Sequence, residues 1–81
     1  MNSNTSLFDI DEVVDIECEK ILEDVFESLE ERGYNPINQL TGYLLSGDPG
    51  YISNHREARS KICSVEREQI IEHLLKKQYS K

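Results

Sequence analysis

The sequence predicts an all-α fold, a compact bundle that is expected to form a homodimer. Three observations predict the helices. Apolar residues recur at helical spacing, no segment alternates with period two for long enough to require a strand, and two glycine stops each lead to a capping residue followed by proline. With 81 residues, the chain is expected to form a single helical domain over 11–81 after a flexible tail over 1–10.

The first helix is the long one, and it is predicted to run from about Asp11 or Val14 to Arg32. Apolar residues in this segment keep the i, i+3, i+4 rhythm and therefore form a continuous stripe on one side of the helix. Glutamates occupy the other side, which is expected to face solvent for most of its length. The stripe consists of Val14, Cys18, Ile21, Leu22, Val25, Phe26 and Leu29.

Turn residues bound a short second helix, which begins within the segment GYNP and is predicted from Pro36 to about Ser46. The first glycine is expected to take the left-handed conformation that ends a helix. The asparagine and proline that follow it suit the cap and the first position of the next helix. A similar order of glycine, capping residue and proline returns thirteen to fourteen residues later. The structural turn residues are Gly33, Asn35, Pro36, Gly47, Asp48 and Pro49.

The C-terminal half is predicted to hold a turn through Ile52, one or two short helices and a last helix. Asn54 is expected to cap a helix over about His55–Cys63, and Ser64 is expected to cap the last helix. His73 is expected on the polar side of that helix. Its other side is expected to present Arg67, Ile70, Ile71, Leu74 and Leu75.

Charge is distributed unevenly along the chain, whose formal net charge is −7. Residues 1–32 hold eleven acids and two bases, a balance of −9, whereas residues 33–81 hold five acids and seven bases, a balance of +2. An acidic chain is a poor candidate for nucleic-acid binding, which depends on neutralising phosphates. The asymmetry instead predicts contact between the two halves, within one molecule or across a dimer.

The sequence carries no pattern that indicates an enzyme, a cofactor or a metal site. Cys18, Cys63, His55 and His73 lack the close paired spacings of zinc ligands, and no phosphate-binding glycine loop is present. The sequence holds neither an apolar stretch of about 18 residues nor the pattern of a signal peptide. A cytoplasmic protein without membrane insertion is therefore expected.

Self-association is expected because the first helix carries more apolar surface than the short helices can cover. A single core in a chain of this size supplies only about 3–5 kcal/mol, and small proteins often compensate with disulfides, metals or oligomers. Neither disulfides nor metals are expected here. The sequence therefore predicts a homodimer that forms through the first and second helices.

A basic cluster, His55, Arg56, Arg59 and Lys61, stands out in an otherwise acidic chain. Its cations suit carboxylates and phosphates. Three interpretations stay open: pairing with the acidic first helix, reception of an acidic or phosphorylated segment by Arg56, Arg59 and Lys61, and DNA contact by a helix-turn-helix. The last makes a DNA-binding regulator the alternative function, and a small accessory subunit of an enzyme is a third.

The segment GYNPINQLTGYLLSGDPGYISNHREAR, residues 33–59, closely resembles the signature of the IreB-type regulatory phosphoprotein family. The resemblance implies a small bacterial regulator that acts by protein binding. It also implies phosphorylation by a membrane-anchored Ser/Thr kinase, reversal by a cognate phosphatase, and a role in cell-envelope stress and antibiotic tolerance.

The same resemblance implies a site of phosphorylation. Family tails present a threonine followed three positions later by phenylalanine, and Thr5 and Phe8 are similar here. Thr5 is therefore the expected phosphoacceptor. The protein that the regulator acts on downstream is not given by the sequence.

Overall fold

The structure, a computed structural model, describes residues 10–79, and all of its regular elements are helical. No strand occurs in this range, so the predicted fold class is confirmed. Only the last residue of the expected tail is described, and it begins the first helix. The elements are α1 (Ile10–Glu31), α2 (Pro36–Ser46), two 3-10 turns (Pro49–Tyr51 and His55–Glu57), α3 (Ala58–Cys63) and α4 (Arg67–Tyr79).

Helix α1 is the central helix, and α2, α3 and α4 all pack against it. Its predicted stripe is confirmed, since Cys18, Val25 and Leu29 are fully buried. Ile21 and Phe26 are partly buried against the same core. The core cluster consists of Leu22, Val25, Leu29, Leu40, Tyr43, Ile52, Ala58, Ile62 and Ile70.

The turn between α1 and α2 has the predicted geometry. Gly33 adopts φ +80°, and the next backbone N–H, that of Tyr34, donates to the Leu29 carbonyl at 3.0 Å. Asn35 is extended, with φ −94°, and its Oδ1 accepts from the backbone N–H of Asn38 at 3.2 Å. Because Pro36 has no N–H to satisfy, it begins α2 without cost.

The end of α2 also follows the prediction. Gly47 adopts φ +77°, and its N–H donates to the Tyr43 carbonyl at 2.7 Å. The side chain of Asp48 then accepts from the Gly50 N–H at 2.8 Å, which caps the first 3-10 turn. Arg67, at the start of α4, donates to the Leu44 carbonyl at 3.0 Å and so satisfies a terminal acceptor of α2.

The helix predicted over His55–Cys63 is wrong in its first turn. A 3-10 turn stands there and contains a break, since two of its residues, Arg56 and Glu57, have φ of 53° and 62°; Asn54 makes no side-chain cap. Residues five apart on a continuous α-helix point about 140° from each other. The break instead allows Arg56 and Lys61 to contact one carboxylate of α1, Asp24.

The cap predicted at Ser64 is also wrong. Its hydroxyl donates to the Lys61 carbonyl at 2.6 Å, so it closes α3 and does not begin α4. Helix α4 begins at Arg67, and the Gln69 side chain accepts from the backbone N–H of Glu66 at 3.3 Å. The cause is local competition, because a short hydroxyl side chain readily bonds a carbonyl three residues back.

Candidate functional site

Acidic residues of α1 pair with basic residues of the C-terminal half throughout the described range. Nine such contacts, six made by lysine or arginine and three by histidine, join the two parts of the chain, with N–O distances from 2.6 to 3.7 Å. The contact predicted from the uneven charge distribution is therefore confirmed within one molecule. The pairs form two clusters along α1.

The first cluster lies on the C-terminal half of α1, where Asp24 is its centre. Lys61 contacts Asp24 at 2.6 Å and Arg56 contacts it at 3.3 Å. The Lys61 hydrogen bond lowers the pKa of Asp24, and the His55 hydrogen bond to Glu31, at 2.6 Å, does the same for the pKa of Glu31. Arg56 also approaches Glu27 at 3.6 Å and Glu31 at 3.7 Å.

This geometry places each residue of the expected anion contact. Arg56 and Lys61 lie on the same carboxylate, as the pairing interpretation of the basic cluster predicts. Arg59 points elsewhere, and its Nε donates to the Ile52 carbonyl at 2.9 Å. The three cations are therefore engaged inside the molecule, and a role for them in binding an external anion stays a prediction.

The second cluster lies on the N-terminal half of α1 and centres on His73. Its Nδ1 is 3.3 Å from Asp15 and its Nε2 is 2.8 Å from Glu19. Lys76 holds the other oxygen of Asp15 at 2.9 Å, and Lys77 holds the other oxygen of Glu19 at 2.6 Å. Hydrogen bonds from Lys77 and His73 lower the pKa of Glu19 to about 2, and one from Lys76 is the main cause that lowers the pKa of Asp15.

His73 therefore shares the polar side of α4 with Lys76 and Lys77, as predicted, but only 8% of this residue is exposed. The imidazole can be buried there because the carboxylates of α1 give it partners inside the contact between the two helices. A signal was present in the sequence. The spacing of His73 to Lys77 matches that of Asp15 to Glu19, and residues four apart lie on one face of a helix.

An apolar groove opens between α1, α2 and α4 and encloses about 160 Å³. Two of the side chains that line it are largely exposed to solvent: Ile37 on α2 is 61% exposed and Leu74 on α4 is 43% exposed. Further apolar side chains, Leu45, Ile71 and Leu75, are exposed on the same two helices. The lining residues are Leu22, Phe26, Ile37, Leu40, Thr41, Leu44, Ile70 and Leu74.

The remaining predicted features are placed as follows. Cys18 is buried, Cys63 is exposed, and both are free thiols. Within residues 10–79, no group of three His, Cys, Asp or Glu side chains is placed to hold a metal ion. No helix of this range has the length and apolar character needed to cross a membrane. Thr5 lies outside the described residues.

Comparison with known proteins gives consistent matches to one family. A family model described as IreB regulatory phosphoprotein matches residues 3–80. The chain is also 47% identical over 75 residues to a UPF0297 protein of Acetivibrio thermocellus, and this match covers 93% of the chain and 83% of the relative. The family model spans α1 to α4 and includes residues that precede α1.

Proposed function

Since this chain belongs to the IreB regulatory phosphoprotein family, we propose that it is a cytoplasmic regulator that acts by binding other proteins and is switched by phosphorylation of its N-terminal tail. The family description is regulatory and not catalytic, so no enzymatic activity is proposed. One observation carries the binding role. An apolar groove with exposed walls lies on a small chain, and such patches typically mark interaction surfaces.

A second copy of the chain is the partner that we propose for this groove. Its walls include residues of α1 and α2, the two helices through which the sequence predicts self-association. If the grooves of two copies faced each other, Ile37, Leu74 and the exposed residues beside them would be buried. Burial of this kind supplies the apolar contact that a core of this size lacks.

Light scattering tests the homodimer. At micromolar concentration the protein is expected to have about twice the 9.4 kDa chain mass. Replacement of Ile37 by Asp is expected to give a monomer, because a charge would then be buried without a partner. The fold should survive this change, since the Ile37 side chain is mostly exposed within one chain.

Ile16 offers a matched control for that substitution. It is also an isoleucine on a helix, 53% exposed, and it does not line the groove. Ile16→Asp is therefore expected to keep the mass of the dimer. A wild-type mass that stays at one chain over a hundredfold range of concentration would contradict the homodimer.

Thr5 is the phosphoacceptor that we propose, on the basis of the family membership and of the Thr5–Phe8 spacing. A bacterial Ser/Thr kinase would add the phosphate and a cognate phosphatase would remove it. By the same resemblance, we place this switch in the response to cell-envelope stress and in antibiotic tolerance. A phosphate adds about −1.5 to −2 charge and three strong acceptors to the tail.

The cluster of Arg56, Arg59 and Lys61 is the destination that we propose for this phosphate. Arg56 and Lys61 are partly exposed in their pairs with Asp24, and such pairs contribute little stability. A doubly charged phosphate is therefore expected to compete with that carboxylate at low salt.

An NMR comparison of unmodified and Thr5-phosphorylated protein tests this docking. The backbone amide shifts of Arg56 and Arg59 are expected to change on phosphorylation at low salt and to return towards their original values as salt is added. Arg67 donates to the Leu44 carbonyl and is not part of this cluster, so it serves as a control whose shift should stay constant. Unchanged Arg56 and Arg59 shifts would mean that the phosphate does not dock there.

The alternative function, a helix-turn-helix DNA-binding regulator, receives less support. Its phosphate contacts would have to come from the basic cluster, in which Arg56 and Lys61 pair with α1. The net charge of −7 also opposes approach to DNA. We therefore propose protein partners and no nucleic acid.

A further inference from the structure

His73 is the one histidine of the described residues whose two ring nitrogens both face carboxylates. Nδ1 lies 3.3 Å from Asp15 Oδ1, and Nε2 lies 2.8 Å from Glu19 Oε1. The residue is 8% exposed, so water has little room to replace either contact. These contacts connect the middle of α4 to the N-terminal half of α1.

The protons required by this arrangement can be counted. Asp15 and Glu19 both have lowered pKa values, so both are ionised near neutral pH and act only as acceptors. A neutral imidazole has one N–H and can donate to only one of them. Its second nitrogen would then present a lone pair to a carboxylate oxygen, which is repulsive. Only the doubly protonated ring satisfies both contacts.

The groups around His73 fix the positions of the two carboxylates that it contacts. Both partner carboxylates come from α1, and the buried Cys18 thiol lies on the same side of that helix. On α4 itself, Lys76 and Lys77 hold the outer oxygens of the two carboxylates. Each carboxylate is thus fixed by a lysine on one oxygen and presents the other oxygen to the imidazole.

We propose that His73 is a proton-dependent clasp, a pair of hydrogen bonds that joins α4 to α1. When both ring nitrogens are protonated, it holds the C-terminal half of α4 on α1. When the ring loses a proton, one of the two hydrogen bonds breaks. The hydrogen bond to Asp15 is the one that breaks, because it is the longer of the two. The neutral ring keeps its proton on Nε2, where it donates to Glu19.

His55 provides an internal comparison, because its surroundings accept a neutral ring. Its Nε2 lies 2.6 Å from Glu31 Oε1, whereas its Nδ1 faces a donor, the Arg32 guanidinium, at 3.5 Å. A neutral imidazole with its proton on Nε2 matches both partners. Loss of a proton is therefore expected to loosen the His73 contacts and to leave those of His55 intact.

Release of the clasp has a consequence for the apolar groove. Leu74 follows His73 on α4 and forms part of the groove wall. If α4 loosens, Leu74 would move and the groove would bind its partner less tightly. This consequence, unlike the clasp itself, rests on the proposed function of the groove.

NMR spectroscopy of the full chain tests the clasp directly. Long-range proton–nitrogen spectra report which ring nitrogens of His73 carry protons, and amide hydrogen exchange, corrected for the intrinsic rate, reports how firmly α4 is held. Across a series of pH values, loss of the Nδ1 proton is expected to coincide with a fall of about five- to tenfold in the protection of amides over 72–77. The His55→Gln variant is the control, and its α4 should show the same fall.

Asp15→Asn is the decisive variant. With its oxygen on Lys76, an asparagine presents its NH2 group to Nδ1, so loss of the Nδ1 proton no longer breaks this contact. The fall in α4 protection as His73 loses its proton is expected to shrink to less than about twofold in this variant, whatever the absolute protection. Protection of wild-type α4 that does not change as His73 loses its proton would overturn the clasp, and so would an Asp15→Asn variant that keeps the full dependence. Because neither reading depends on self-association, failure of the groove as a binding site would leave this result unaffected.

Discussion

Replacement of Leu29 by Ala is expected to lower the free energy of unfolding by about 2–5 kcal/mol. Leu29 is among the largest fully buried side chains and belongs to the core cluster that α1 shares with α2, α3 and α4. Truncation removes apolar contacts and leaves a cavity that the surrounding helices fill only in part. Since the whole core of a chain this size supplies only about 3–5 kcal/mol, a large fraction of the molecules should be unfolded at room temperature.

Urea denaturation followed by circular dichroism measures this loss. Ile16→Ala is the control, because this aliphatic side chain on α1 is 53% exposed and does not line the groove. Its effect is expected to stay within about 0.5 kcal/mol of the wild type. All variants should be compared at one protein concentration, since self-association adds to apparent stability. If Leu29→Ala unfolded at the wild-type midpoint, the core described here would be incorrect.

Replacement of Gly47 by Val is expected to cost about 1–3 kcal/mol, the second largest effect. Gly47 ends α2 at φ +77°, where a β-branched side chain is strained. A Cβ atom at this position would also lie 2.8 Å from Cζ of Arg67. The guanidinium would have to move, and the Leu44 carbonyl would then lose its donor.

Gly33→Val separates the two causes. Gly33 has a similar φ of +80°, but no atom lies within 4 Å of the position that its Cβ would take. This variant should therefore show the cost of the backbone strain alone and melt between the wild type and Gly47→Val. Wild-type melting of both variants would mean that the ends of α1 and α2 are placed incorrectly.

The parts of the fold that the sequence predicts are those that local chemistry determines. The two ends of α2 are set by caps and backbone preferences that act within a few residues, at Asn35, Pro36 and Gly47, and the structure confirms both ends. The stripe of α1 is confirmed for the same reason, because its spacing alone places Val25 and Leu29 on one face.

The parts that the sequence does not predict depend on contacts between distant segments. The positive φ values of Arg56 and Glu57 are not a preference of either residue, and they accompany ion pairs with α1 more than twenty residues away. His73 is buried because Asp15 and Glu19 lie opposite it, a match that becomes visible only once α1 and α4 are known to pack together. At the candidate site, the charge asymmetry predicted which halves meet but not which side chains pair.

We propose that this family member is regulated by phosphorylation of its tail, and an assay with a purified kinase tests this proposal. The purified chain is incubated with ATP and a bacterial Ser/Thr kinase, and the modified residue is located by mass spectrometry. The chain has two threonines, so Thr5→Ala and Thr41→Ala form a matched pair of variants. We expect one phosphate, on Thr5, that is absent from Thr5→Ala and retained by Thr41→Ala. A chain that the kinase leaves unmodified, or one phosphorylated outside the tail, would contradict the claim.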